Sequence, residues 1–340
     1  MTDYTASWLK VEESLGGTRP VLSGTAEELR EQFAGLGAFL ATLSPPPSEH
    51  VVVQDGEVGG IAYRKYIPRH SKAQNPRVGV FYHSGGFVVG GLDSEDAFCR
   101  NVALQNDMIV VSVDYRLAPE HKAPAQLEDA LALLEWVSLA MNLIILLRNS
   151  NLSSLKAYDN AVGNGARPSK FVVIGTSAGG ALALAVTRKV VLGSSSLPKS
   201  AIDGVITLCP MTLHPDHVPA AYRAEYTSYE ENKENVPVIN KQAMLQFFDY
   251  AGVDPIDKNT FPLLDETALK LFPRTYVVTA EKDPLRDDGK VLVKTLSSLG
   301  VNCKTDHYGG LPHCFWIFPP LPETKVFMSN VGSAVSWIVG

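Results

Sequence analysis

Ser177 stands between two glycines in Gly175-Thr176-Ser177-Ala178-Gly179, directly after the apolar run Phe171 to Ile174 and just ahead of a helical pattern opening at Gly180-Ala181-Leu182. A strand, a turn too tight for side chains at its ends, and a helix would together lift a serine hydroxyl above a sheet, where it can attack a carbonyl. The helix N-terminus beneath it favours developing negative charge. A serine is a poor nucleophile near neutral pH, so a base must take its proton and a buried acid must hold that base in the right tautomer. The acid and then the histidine should follow in the chain.

Downstream, the β-branched run Thr275 to Ala280 leads into Glu281-Lys282-Asp283-Pro284-Leu285-Arg286-Asp287-Asp288. A carboxylate just past a strand end sits at the rim where open α/β sheets bind ligands. Asp283 is the best placed, with Glu281, Asp287 and Asp288 as alternatives, the last two expected to cap the helix that follows. After the final strand pattern, Tyr308-Gly309-Gly310-Leu311-Pro312-His313-Cys314-Phe315 reads as a flexible glycine loop that delivers His313 as the base. His307 is a local rival, but it falls inside the strand pattern. Negative charge on the attacked oxygen requires fixed N–H donors. His83-Ser84-Gly85-Gly86-Phe87, after the strand pattern Val78 to Tyr82, offers the amides of Gly85 and Gly86, with Ala178 as the third donor. His214 and His217 make a metal-like pair with which no further ligands converge, so no metal role is expected.

The elements that must position these groups alternate from about residue 50. Strands are predicted over His50 to Gln54, Ile61 to Tyr66, Val78 to His83, Met108 to Val113, Phe171 to Gly175, Gly204 to Cys209, Thr275 to Ala280 and Val301 to Tyr308. Helical spacing is predicted over Ser94 to Gln105, Gln126 to Trp136, Ser177 to Lys189, Arg286 to Ser298 and Lys325 to Trp337. Such alternation implies a largely parallel sheet with helices on both faces. Two stretches fall outside it, residues 1–45 and about 211–264, and together they are expected to form a lid or cap.

With 340 residues, 45% of them hydrophobic and 19% charged, the chain is long enough for one elaborated domain. A formal net charge of −6 leaves no basic surplus for phosphate backbones, so nucleic-acid binding is not expected. The run Leu143 to Leu147 with its neighbours is roughly half of a bilayer span, and Met1 to Gly17 lacks the marks of a secretory signal. A cytoplasmic location without a membrane span is therefore expected. Cys99, Cys209, Cys303 and Cys314 are too scattered for a disulfide frame or a zinc site and receive no role.

Taken in order, His83 to Gly86, Tyr115-Arg116-Leu117-Ala118-Pro119-Glu120, Gly175 to Gly179, Asp283 to Asp287 and His313 resemble the motifs of the hormone-sensitive-lipase group of carboxylesterases, over nearly the whole chain from about residue 50. That resemblance implies the α/β-hydrolase fold, a mostly parallel eight-stranded sheet with a helical cap. It also implies serine esterase activity on short acyl esters, with Ser177, Asp283 and His313 catalytic and with no cofactor. More loosely, the chain resembles fungal esterases of the versiconal hemiacetal acetate type, which remove acetyl groups from aromatic polyketide intermediates. Tyr222, Tyr226, Tyr229, Phe247, Phe248 and Tyr250 could face such a flat substrate, although aromatics at this spacing commonly form lid core.

Three residues depart from the group's pattern. Ser84 replaces a glycine, Thr176 marks the branch with threonine before the nucleophile, and Cys314 stands where glycine commonly follows the histidine. The alternative functions are a non-catalytic ligand-binding homologue, disfavoured by the presence of all three catalytic types, and an acyltransferase, if an alcohol rather than water takes the acyl group. Residues 137–156 read as foreign to the group, and we hypothesise a retained intron; the alternative is a genuine insert, such as an interface helix, since Val137, Met141, Ile144 and Ile145 continue the helical stripe. Val137-Ser138 can be encoded by GTAAGT, Lys156 ends the stretch with AAG, and joining Trp136 to Ala157 restores a natural helix ending. Sequencing the transcript across Trp136 tests this: an active enzyme whose message keeps those codons excludes it.

Overall fold

The computed structural model describes residues 3–71, 77–149, 171–318 and 321–340, and in 141–149 the backbone only. Two helices come first, α1 (Ala6–Ser14) and α2 (Ala26–Leu43). Thr25 and Glu28 start α2 with a reciprocal capping box, the threonine hydroxyl accepting from the Glu28 N–H and the Glu28 carboxylate from the Thr25 N–H. The alternating region then supplies β1 (Val51–Val58), β2 (Ile61–Pro68), β3 (Arg77–Tyr82), α3 (Asp96–Asn106), β4 (Met108–Asp114), α4 (Ala125–Asn149), β5 (Phe171–Thr176), α5 (Ala178–Leu192) and β6 (Ile202–Leu208). After the second non-alternating stretch, which carries α6 (Ser228–Glu231) and α7 (Lys241–Ala251), come α8 (Glu266–Leu269), β7 (Arg274–Lys282), α9 (Arg286–Ser298), β8 (Cys303–Pro312) and α10 (Pro322–Val339).

The eight strands form one sheet in the order β1-β2-β4-β3-β5-β6-β7-β8. Pairing is antiparallel between β1 and β2 and between β2 and β4, and parallel elsewhere. The central strands β3 and β5 are buried along nearly their whole length because helices cover both faces, which is why they read as continuous Val/Ile/Phe runs. Every predicted strand is present.

Several elements extend past their predicted ends, and two of them, β8 and α4, change a reading made from the sequence. β8 runs on through Gly309 and Gly310 to Pro312, so the supposed flexible glycine loop is strand, with a register shift between Ala280 and Lys282 on its partner. At Gly310 the backbone has φ 64°, and a Cβ would lie 2.6 Å from the carbonyl oxygen of Asp3, so glycine allows the N-terminal segment to close over the strand. That closure is made by a 3.1 Å bond from the Thr5 N–H to the Gly310 carbonyl. α4 continues unbroken past Trp136 to Asn149. The stretch read as an intron thus begins within a helix, where Val137 and Ser138 are buried, and its last part, 150–156, lies outside the described residues.

The two non-alternating stretches are tied to each other. Val21 and Val238 form a parallel bridge, the Leu22 N–H donates to the Val238 carbonyl, and Gln246 and Tyr250 both donate to the Gly24 carbonyl. Among the described residues no helix is long and apolar enough to cross a membrane.

Candidate active site

Two close approaches shape the turn at Ser177. A Cβ on Gly175 would stand 2.0 Å from the Gly179 carbonyl oxygen, and one on Gly179 would stand 2.0 Å from the Tyr82 carbonyl oxygen. The first glycine therefore lets the strand fold back on its helix, and the second lets the end of β3 pass beside it. Ser177 itself takes φ 57° and ψ −119°, a region costly for a side-chain-bearing residue. It is held there by its own N–H donating to the Leu208 carbonyl at 2.8 Å and by α5 starting at Ala178.

The same approach of β3 brings the glycine loop alongside. Gly85 (φ 122°) and Gly86 (φ 60°) make a tight turn in which the Val88 and Val89 N–H groups donate to the Gly85 carbonyl. A Cβ on Gly86 would enter the ring of Phe247, at 2.4 Å, so α7 lies directly over the loop. His83 stacks on Tyr115 with centroids 4.1 Å apart, and its Nδ1 bonds the Ser84 carbonyl at 2.7 Å. Burial pulls the His83 pKa down to about 4, which keeps the ring neutral with its Nδ1 proton on that bond. The Tyr115 hydroxyl donates to the His83 carbonyl, Arg116 forks onto Asp129, and Glu120 pairs with Arg30 of α2. The Tyr115 to Glu120 motif is thus a brace for the loop.

At the end of β7, Asp283 is fully buried. Its Oδ1 accepts from the Leu285 N–H at 2.8 Å and its Oδ2 from His313 Nδ1 at 2.7 Å. A carboxylate only accepts, so Nδ1 carries the proton and Nε2 is left as a base. His313 follows β8 directly, and Cys314 after it takes φ 52°, a left-handed position. That conformation accounts for glycine being common there and shows the departure at Cys314 to be sterically tolerated in this chain.

Two bonds link these strand ends, Ser177 N–H to Leu208 and Cys209 N–H to Val278, each 2.8 Å. The serine, acid and histidine therefore converge on one rim. Among the described residues no hydrogen bond joins the Ser177 hydroxyl to His313. Such contacts are often loose in unliganded enzymes and tighten when substrate arrives.

Cys209, given no role from the sequence, lies at the centre of this rim. Its sulfur, a carboxylate oxygen of Asp283 and a ring nitrogen of His313 all lie within 4.8 Å of one another. Burial, followed by the charge of Asp283, pushes the thiol pKa well up, so it keeps its proton. Metal-ligating atom types meet here, but the Asp283 and His313 atoms already bond each other. Nothing in the local sequence marks Cys209 for this position; its place directly after β6 was the available clue.

Glu95 was also missed. Its Oε1 accepts from the Ser84 N–H at 3.2 Å, its Oε2 has no hydrogen-bond partner, and burial pushes its pKa up to about 7.

The rival acids serve elsewhere. Glu281 accepts from the Gly310 N–H at 2.9 Å. Asp287 and Asp288 do not cap α9, contrary to the sequence expectation; the N-cap position is Leu285, with no side-chain cap bond. Asp287 instead accepts from the N–H groups of Thr227 and Ser228, capping α6 from across the molecule. Asp288 accepts from the N–H groups of Thr212 and Leu213 and from the Tyr226 hydroxyl. Both stand inside the helix, past its N-cap Leu285, and bond donors of the second non-alternating stretch instead. His307 bonds Thr279 at 2.9 Å on the strand, and the His214 ring packs on Phe248.

The alpha/beta hydrolase fold family model (Abhydrolase_3) matches residues 79–317. The chain belongs to this family. The esterase is 40% identical to versiconal hemiacetal acetate esterase of Dothistroma septosporum, covering 99% of this chain and 95% of that one. It is 34% identical to the enzyme of the same name from Aspergillus parasiticus, covering 99% of each. Among solved structures, a hyperthermophilic esterase from Pyrobaculum calidifontis superposes with a TM-score of 0.77 at 27% identity, covering 99% of each chain. This chain is an enzyme, a carboxylic ester hydrolase.

Proposed function

We propose that the esterase hydrolyses short-chain acyl esters, acetyl esters in particular, through an acyl-enzyme on Ser177. The observation that carries this reading is the buried 2.7 Å bond between Asp283 and His313, on the rim that also holds the Ser177 turn. In the first half-reaction the Ser177 hydroxyl oxygen attacks the ester carbonyl while His313 Nε2 takes its proton. The amides of Gly85, Gly86 and Ala178 hold the resulting oxyanion, and Asp283 steadies the imidazolium. Collapse breaks the carbonyl–alkoxy bond, and His313 returns the proton to the departing alcohol. Water, deprotonated by the same nitrogen, then attacks the acyl-serine, releasing the acid and restoring the serine. No step draws on a cofactor.

The acetyl preference rests on the names of the two fungal relatives and on Phe247 pressing against Gly86, which restricts space for a long acyl chain. A place in fungal secondary metabolism rests on the same relatives. In this reading residues 1–45 and 211–264 form a cap over the site, in keeping with their mutual bonds.

Initial rates on 4-nitrophenyl acetate, butyrate and longer esters test the proposal. Turnover should fall with chain length, and Ser177→Ala should lose about 10⁴-fold or more in kcat. Persistence of turnover in that variant would reject the nucleophile.

A further inference from the structure

The glycine loop is fastened carbonyl by carbonyl. The His83 carbonyl accepts from the Tyr115 hydroxyl at 2.7 Å, the Ser84 carbonyl bonds His83 Nδ1 at 2.7 Å, and the Gly85 carbonyl accepts from the Val88 and Val89 N–H groups, each at 3.0 Å. In a trans peptide the N–H points away from the carbonyl. Tying down the carbonyls of Ser84 and Gly85 therefore directs the N–H groups of Gly85 and Gly86 the other way, and among the described residues neither has an acceptor.

One N–H in this run is held instead of left free. Ser84 N–H, on the same peptide as the His83 carbonyl, donates to Glu95 Oε1 at 3.2 Å, so that peptide is gripped at both edges and the two free amides follow directly from it. Glu95 is 5% exposed, and its Oε2 has no hydrogen-bond partner among the described residues. It occupies the N-cap position of α3 yet makes no side-chain bond to the first N–H groups of that helix. Its carboxyl thus forgoes both water and the orphan donors of its own helix, and its bonding is to the loop. The main chain of Glu95 is itself anchored, its carbonyl accepting from the Cys99 N–H at 3.0 Å.

We propose, on the esterase reading above, that Glu95 is a positioning residue for ester hydrolysis: by holding the Ser84 N–H inward it fixes the peptide from which the Gly85 and Gly86 amides are aimed at the oxyanion. The tetrahedral species carries that negative charge and the ground-state ester does not, so loss of the Glu95 acceptor weakens the first and spares the second.

The test measures kcat and KM on 4-nitrophenyl acetate for wild type, Glu95→Leu and Glu95→Gln, each normalised to the sites that a fluorophosphonate titrates. It also measures inhibition by trifluoroacetone, which takes up the serine oxygen to give a tetrahedral oxyanion. Glu95→Leu lacks the acceptor and should lose about 10- to 100-fold in kcat, with KM within about twofold of wild type and trifluoroacetone weakened by a similar factor. Glu95→Gln keeps an acceptor oxygen at the same reach and should recover kcat to within about threefold of wild type. A merely structural role would lower the number of titrated sites and leave kcat per site unchanged, which overturns the proposal. So does a Glu95→Gln as slow as Glu95→Leu, or a rise in KM with kcat unaltered. Should Glu95→Leu not fold, Glu95→Ala is read by the same criteria. A wild type that turns over no ester fails the esterase reading and this proposal with it, whereas an active wild type with an unimpaired Glu95→Leu fails this proposal alone.

Discussion

The Ser177 turn and the Asp283 to Asp288 turn both follow a parallel strand and both present a side chain at the rim, yet they are held by different physics. The first is fixed by what its residues lack. Two missing Cβ atoms allow the Gly175–Gly179 and Gly179–Tyr82 approaches, and the nearest hydrogen bonds are to adjoining strands. The second is fixed by bonds across long stretches of sequence, Asp287 reaching 60 positions to Thr227 and Asp288 reaching 76 positions to Thr212. The Ser177 turn therefore depends on local sterics, while the Asp283 turn depends on the docking of residues 211–232.

The largest expected effect lies in the first region. Gly179→Ala places a methyl carbon 2.0 Å from a backbone carbonyl with no flexible side chain to give way, so a stability loss of about 3 kcal/mol or more is expected, with near-complete loss of activity. Chemical denaturation and ester turnover measure both, and a folded, fully active variant would show that the turn is not sterically set.

Next comes the second region. Asp287→Ala removes the acceptor of the Thr227 and Ser228 N–H groups, the latter buried, and leaves Arg286 only Glu231 as an ion-pair partner among the described residues, for an expected loss of roughly 2–4 kcal/mol. If docking matters to the acid, the variant should also lose activity before it unfolds globally, as the α6 contacts melt. Coincident loss of activity and structure along a urea titration would contradict that link.

Glu95 sharpens the comparison from the side of the glycine loop, where Cys99, Tyr115 and Cys314 also feel its charge. Its folded-state pKa, near 7, lies above the unfolded value of about 4.3. The folded protein thus binds the extra proton between those limits, and stability falls as pH rises through that window. Glu95→Gln should be on the order of 2–3 kcal/mol more stable than wild type at pH 8, with the difference fading toward pH 4. Urea midpoints at the two pH values check this; a constant difference would mean that Glu95 does not titrate in that range.

The smallest effect is expected at Cys209, whose sulfur lies within 4.8 Å of an Asp283 carboxylate oxygen and a His313 ring nitrogen. Cys209→Ala should lower kcat by roughly three- to tenfold with KM little changed, and Cys209→Ser should recover most of it. A KM effect without a kcat effect would place the thiol in substrate binding instead.

The same contrast explains what could be read from sequence. β3, β5 and β7 were legible because β-branched runs bounded by turns carry their own signal, and the Ser177 turn because its glycines are neighbours in the chain. Asp287, Asp288, Cys209 and Glu95 were misjudged or passed over because each is defined by partners that only the fold brings near. An aspartate at a helix start reads locally as a cap, and nothing in Arg286-Asp287-Asp288 shows that the donors come from residues 212–228.

Stoichiometric labelling with a fluorophosphonate, followed by peptide mass analysis, tests the central claim most directly, because the reagent traps a serine only where a base and an oxyanion pocket activate it. The account predicts one phosphonyl group per chain, on Ser177, with activity lost in proportion and labelling strongly slowed in His313→Ala. An active enzyme that resists the reagent, or an inactivating adduct on any other residue, would contradict it.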